Sequence, residues 1–160
     1  MARLRSVTIR RFKSIAAVAL PLDEVTLLIG ANNSGKSTVL QAIHFAVSIA
    51  QTAGLIGENL AWQNDRFQLS FNPSQLLYSP VGDVLSLANG GTLQEPRERQ
   101  IEIELRDTEN QTCIVGLRRG RNRNIGVSIV GRAIGEQLMN LEAPFTIYAP
   151  GLAGIPKEER

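Results

Sequence analysis

Residues 25–50, VTLLIGANNSGKSTVLQAIHFAVSIA, constrain the fold more than any other stretch of the chain. An apolar run (Val25, Leu27, Leu28, Ile29) enters a loop of small residues, and an apolar-periodic segment leaves it (Val39, Leu40, Ile43, Ala46, Val47, Ala50). The run has the continuous character of a strand buried on both faces. The spacing that follows predicts a helix over about residues 35–50. Strand, tight loop and helix in that order place the chain in the α/β class.

Between the two elements, Gly30, Gly35, Lys36 and Ser37 stand at the spacing G-x-x-x-x-G-K-[ST], the Walker A pattern of P-loop NTPases. The two glycines let the backbone take positive φ and approach a ligand with no Cβ in the way. Successive N–H groups from Asn33 to Thr38 can then turn inward as an anion nest. The helix that starts there adds its unsatisfied donors and about half a positive charge. Lys36 is a mobile point charge for β- and γ-phosphates, and the Ser37 hydroxyl is placed to ligate Mg²⁺.

A chain of 160 residues builds one sizeable core without needing a second domain. Its 43% hydrophobic and 20% charged content is that of a globular protein. The net charge of +2 is small, but Arg118, Arg119, Arg121, Arg123 and Arg132 fall in a stretch without an acidic residue. The single Cys113 excludes an intrachain disulfide framework and a cysteine metal site. Basic residues precede a short apolar run at 15–20, yet Asp23 and Glu24 end it early, so no signal peptide is read there. No apolar run approaches the roughly 20 residues that span a bilayer, and the expected location is the cytoplasm.

In chain order, residues 3–12 read as a strand, 13–14 as a turn, and 15–20 as its hairpin partner ended by Pro21. From 51 to 96, glycines and prolines leave an irregular insertion with at most a short helix near 74–78. Residues 100–106 alternate cleanly, 112–118 return and 125–130 follow. This is an antiparallel meander, expected to be a different sheet from the one around the phosphate loop. Residues 133–141 read as a short helix and 145–149 as a last strand. The parts are thus 1–50, an insertion at 51–99, a meander at 100–131 and a closing region at 132–160.

With these parts placed, the chain resembles the N-terminal lobe of the ABC-type ATPase heads of the RecF, SMC and OLD group, from its start to about residue 154. The resemblance rests on the opening strand ending in the corner IRRFKS (9–14), the second short strand, the block TLLIGANNSGKSTVLQAI (26–43) and the antiparallel subdomain. The double asparagine is most like OLD-type and related RecF-like ATPases. The resemblance implies an α/β P-loop NTPase with ATP phosphates held by Gly30, Asn32, Asn33, Ser34, Gly35, Lys36, Ser37 and Thr38, Mg²⁺ on Ser37, and Arg11 and Lys13 near the nucleotide. Residues 148–156 occupy the place of the Q-loop but carry no Gln. Walker B and an LSGGE-like signature do not occur. The resemblance therefore implies a C-terminal lobe and a head-to-head dimer partner supplying them, DNA repair or defence against foreign DNA as the setting, and no turnover by this chain alone. The alternative is a non-catalytic, truncated nucleotide-binding module. A small P-loop kinase is disfavoured by the meander.

Other residues invite plainer readings. His44, the only histidine, is read as a helix residue without metal partners, and Cys113 as an ordinary strand residue. Glu102 and Glu104 are expected on a solvated strand face. Arg118, Arg119, Arg121 and Arg123 surround one turn, which is either a solubilising tip or a contact for DNA phosphates.

Overall fold

Period-two alternation builds most of this molecule, and the register of its strands shows why. The computed structural model describes residues 3–30, 35–94, 96 and 99–145. Among them run β1 (Leu4–Phe12), β2 (Ile15–Pro21), α1 (Lys36–Ile56), β3 (Arg66–Phe71), β4 (Ile101–Asp107), β5 (Thr112–Arg119), β6 (Ile125–Val130) and α2 (Arg132–Met139). All six strands join one antiparallel sheet in the order β2-β1-β4-β5-β6-β3. Ile9, Ile103, Val115, Ile129 and Phe67 are successive register partners, so one buried row crosses five strands. Ile101, Leu117, Val127 and Leu69 make a second row. Each such side chain contributes about 1.5–3 kcal/mol on burial.

Helix α1 lies over this apolar face, touching β1, β4, β5 and β6, and α2 packs beside it on β5 and β6. Phe45, Ala46, Ile49, Ala50 and Ala53 are buried. The connection after β3 covers another side of α1. There the Ser48 hydroxyl accepts from Tyr78 N–H at 2.7 Å and donates to Tyr78 C=O at 3.0 Å. Thr52 Oγ1 donates to Ser48 C=O and accepts from Leu77 N–H. The open face of the sheet is charged instead. Arg10 sits 3.4 Å from both Glu102 and Glu104, and Arg106 lies 3.5 Å from Glu104. The two glutamates are therefore ion-paired rather than merely solvated.

Several expectations need correction. Residues 25–29 do not form a buried strand: Val25, Leu27 and Ile29 are 87%, 77% and 84% exposed, and only Leu28 packs on the core. A strand buried on both faces needs partners on its edges, and β1 already has both edges taken by β2 and β4. The meander is not a separate sheet, because β1 pairs directly with β4. The region 51–99 is not irregular throughout. It contains the end of α1, the strand β3, and short 3-10 turns at Pro73–Gln75 and Val84–Leu87. Helix α1 has 21 residues and a mean hydropathy of 1.5 in its most apolar stretch, so by length and composition it could cross a bilayer. Here it is a core helix with most of one length buried under the sheet and the loop 76–93. Leu40, expected inside, is half exposed. The strand expected at 145–149 lies outside the described residues except for Phe145, which is in a bend.

Candidate functional site

The start of α1 is built as an anion site would be. Gly35 is the N-cap, left-handed at φ 94°, ψ 3°, and no side chain caps the helix. The first turn holds no acidic residue, so its free N–H groups and positive dipole end are unopposed. The Lys36 ammonium donates to the Gly30 carbonyl and so spans the loop. Ser37 is exposed, and Thr38 and Lys36 are half-buried. Gly30 is exposed; Asn32, Asn33 and Ser34 lie outside the described residues. Beside the helix start, a cavity of about 390 Å³ opens between Ile15, Val18 and Leu20 of β2, residues 27–29, and Gly35, Lys36 and Val39.

The corner between β1 and β2 faces the same helix. Arg11 and Lys13 are both left-handed, at φ 59° and 52°, a region that favours Gly or Asn. Between them Phe12 is fully buried, its ring 6.0 Å from that of Phe45 in α1. Segment 84–93 holds the corner in this shape. Lys13 N–H donates to Leu87 C=O at 2.6 Å, Asn89 N–H to Arg11 C=O at 3.0 Å, and Asn89 Nδ2 to Lys13 C=O at 2.7 Å. Lys13 Nζ then reaches Gln41 Oε1 at 2.7 Å. Gln41 lies one helical turn beyond Ser37, on the same side. Burial lowers the Lys13 pKa from its ordinary value. The Arg11 guanidinium turns elsewhere, donating from Nε to Gln100 C=O at 2.6 Å, with Glu102 at 3.9 Å. Of the two corner residues, only Lys13 is brought to the helix that carries the phosphate-loop motif.

Gln41 and Asn89 were not singled out from the sequence. Gln41 was visible as a polar residue four after Ser37 in an otherwise apolar run; Asn89 had no local signal beyond its Asn-Gly-Gly turn. His44 lies against Tyr78, ring centroids 4.5 Å apart, and burial lowers its pKa. No group of three or more His, Cys, Asp or Glu side chains gathers among the described residues. A cation beside the helix start would find the Ser37 hydroxyl and no such cluster among the described residues, a donor set that would fit an ion arriving with phosphates and water. Arg118, Arg119, Arg121 and Arg123 lie apart from this site, on the β5–β6 hairpin.

Residues 3–76 match the family model described as AAA ATPase domain, a span from β1 through the helix start to the turn after β3. The match supports an AAA-like, nucleotide-binding ATPase. No curated protein and no solved structure matches the chain.

Proposed function

We propose that this chain is the ATP-binding lobe of a RecF/OLD-like ATPase that serves DNA repair or defence against foreign DNA. The observation that carries the reading is the uncapped, acid-free start of α1 behind left-handed Gly35, with Lys36 bridging to Gly30. The first-turn N–H groups hold phosphate oxygens. Lys36 exchanges the Gly30 carbonyl for a phosphate, and Lys13, kept one turn away by Gln41, adds a second positive charge. Mg²⁺, held by Ser37 and the phosphates, would neutralise charge on the nucleotide. No motif in the chain supplies a Walker B carboxylate, so a C-terminal lobe and a head-to-head partner would complete hydrolysis. The exposed Val25, Leu27 and Ile29 support that reading, because apolar strand-like residues beside a phosphate loop are suited to pairing with further strands.

Calorimetric titration with Mg-ATP tests the proposal. Binding is expected, is lost in Lys36→Ala, and is accompanied by no turnover. Absence of ATP binding overturns the nucleotide reading. Hydrolysis by the isolated chain, lost in Lys36→Ala, overturns the claim that the catalytic carboxylate comes from elsewhere.

A further inference from the structure

The β1–β2 corner holds a shape that its own residues disfavour. Arg11 and Lys13 are both left-handed, and each side chain there meets a steric cost that Gly would not. Such a backbone persists only where its surroundings over-determine it. Residues 87–89 are those surroundings. Ala88 bridges Phe12 in the antiparallel sense, and Lys13 N–H donates to Leu87 C=O beside it. Asn89 reaches both left-handed residues at once. Its backbone N–H donates to Arg11 C=O at 3.0 Å, and its Nδ2 donates to Lys13 C=O at 2.7 Å.

Asn89 is itself fixed by the segment that carries it. Gln41, His44, Ser48 and Thr52 stand three or four residues apart on α1, a polar stripe along an apolar helix. Two residues cover three of them: Tyr78 by its ring against His44 and its backbone bonds to Ser48, Leu77 by its N–H to Thr52 Oγ1. Asp83 Oδ1 then caps the turn at Val84–Leu87 by accepting from Leu85 N–H, and Leu93 N–H closes back on Leu85 C=O at 2.8 Å. Val84, Leu87 and Leu93 are buried in the core. A loop closed on itself and packed by its own side chains is a firm support.

Gln41, the remaining member of the stripe, is the one that Lys13 reaches, Nζ to Oε1 at 2.7 Å. The lysine stem has several rotatable bonds, and fixing its ammonium costs conformational freedom. A backbone already set at the right angle removes part of that cost before a ligand arrives, which is preorganisation. Asn89 donates to the corner and to no acceptor on α1 among the described residues, so its effect on a ligand there passes through Lys13, the corner residue that meets the helix. We propose that Asn89 is a positioning residue for Lys13, holding its ammonium one turn from Ser37 and so raising the affinity for the phosphates of a nucleotide. The inference rests on the nucleotide reading of the α1 site.

Calorimetric titration with Mg-ATP and NMR of isotope-labelled lysine side chains test this on the full chain. The chain has three lysines, Lys13, Lys36 and Lys157, so the Lys13 signal is identified by its loss in Lys13→Met. Asn89→Asp keeps the size and the backbone N–H but loses the amide donor. It is expected to move the Lys13 signal towards that of free lysine and to leave the Lys36 signal in place. Mg-ATP affinity is expected to fall about tenfold, the factor that one lost hydrogen bond carries. In a Lys13→Met background the same substitution is expected to change affinity by less than about twofold. A purely structural role would carry the full loss into both backgrounds. Asn89→Ala removes the donor without adding a charge and is expected to act alike, so that loss of fold in one variant leaves the other to decide. An unmoved Lys13 signal overturns the proposal, as does an unchanged Mg-ATP affinity or an equal loss with and without Lys13. No Mg-ATP binding by the parent overturns the nucleotide reading instead; the Lys13 signal, which needs no nucleotide, still decides whether Asn89 places that side chain.

Discussion

Two glycines that both have positive φ should respond very differently to the same substitution. Gly35 has φ 94°, and a Cβ built there meets nothing within 4 Å among the described residues. Gly35→Ala therefore costs only its left-handed backbone, about 1–2 kcal/mol. The stiffer unfolded chain returns about 0.4–1 kcal/mol of that. The net loss is about 1 kcal/mol, or roughly 3 °C in Tm for 160 residues at about 2.1 cal/mol/K per residue. Gly131 has φ 109°, and its Cβ would fall 2.0 Å from Thr112 O and 2.9 Å from Cys113 Cα. Both are backbone atoms of β5, so Gly131→Ala must separate the start of α2 from the sheet, and a loss above about 4 kcal/mol is expected. Thermal unfolding with and without Mg-ATP checks both stability and function. At a hundredfold excess over Kd the parent should gain about 2.7 kcal/mol, roughly 8 °C. Gly35→Ala should lose at least tenfold in affinity as the first-turn N–H groups reorient, halving that gain to about 1.4 kcal/mol. Equal destabilisation by the two variants, or a full ATP shift in Gly35→Ala, refutes the reasoning.

Other expectations follow from single sites. Replacing Val25, Leu27 and Ile29 together by Thr should change the stability of this chain by less than about 0.5 kcal/mol, because all three are exposed; a urea midpoint falling by the equivalent of several kcal/mol would contradict that exposure. Arg123→Gly should raise Tm by about 3 °C in a thermal melt, since it relieves a left-handed arginine worth roughly 1 kcal/mol net of the freer unfolded chain; an unchanged or lower Tm would contradict that strain. Cys113 is pushed from an ordinary 9.0 up to about 12, first by burial and then by the charge of Asp65. Its folded pKa is the higher one, so its contribution is complete below pH 9 and is lost between pH 9 and about 12. Over that window stability should fall by about 1.4 kcal/mol per pH unit. Denaturant titrations of Cys113→Ala against the parent should show the slope removed.

Local patterns made much of this fold legible. The alternation of residues 100–106 and the apolar strands after it lie where the spacing predicts them, as does the first hairpin. The strand β3 carries the same signal in Phe67, Leu69 and Phe71, but surrounding glycines and prolines hid it. Sheet membership was not legible, because the β1–β4 ladder joins residues about a hundred apart and no local pattern encodes which edge a strand will use. The last turns of α1 were obscured by Gly54 and Gly57, while the place of Ser48 and Thr52 in the core depends on Leu77 and Tyr78 some 25–30 residues later. Residues 25–29 have the composition of a buried strand and none of its surroundings. Within the site, spacing alone picked out Gly35, Lys36 and Ser37. The placing of Lys13 by Gln41, Leu87 and Asn89 depends on tertiary hydrogen bonds and could not be read from spacing.

The pairing of β1 with β4 also sets a schedule for synthesis. The β1–β2 hairpin can close as soon as it leaves the ribosome, but the other edge of β1 waits for β4, whose last residue is Asp107. At about 5–20 residues per second, that edge stays open for roughly 5–20 s after Phe12 is made. During that interval Val7 and Ile9 lack their β4 neighbours, Leu105 and Ile103, and Phe12 lacks a complete core. A nascent chain paused between β2 and β4 is thus a natural client for a holding chaperone, and slow codons there would lengthen its exposure.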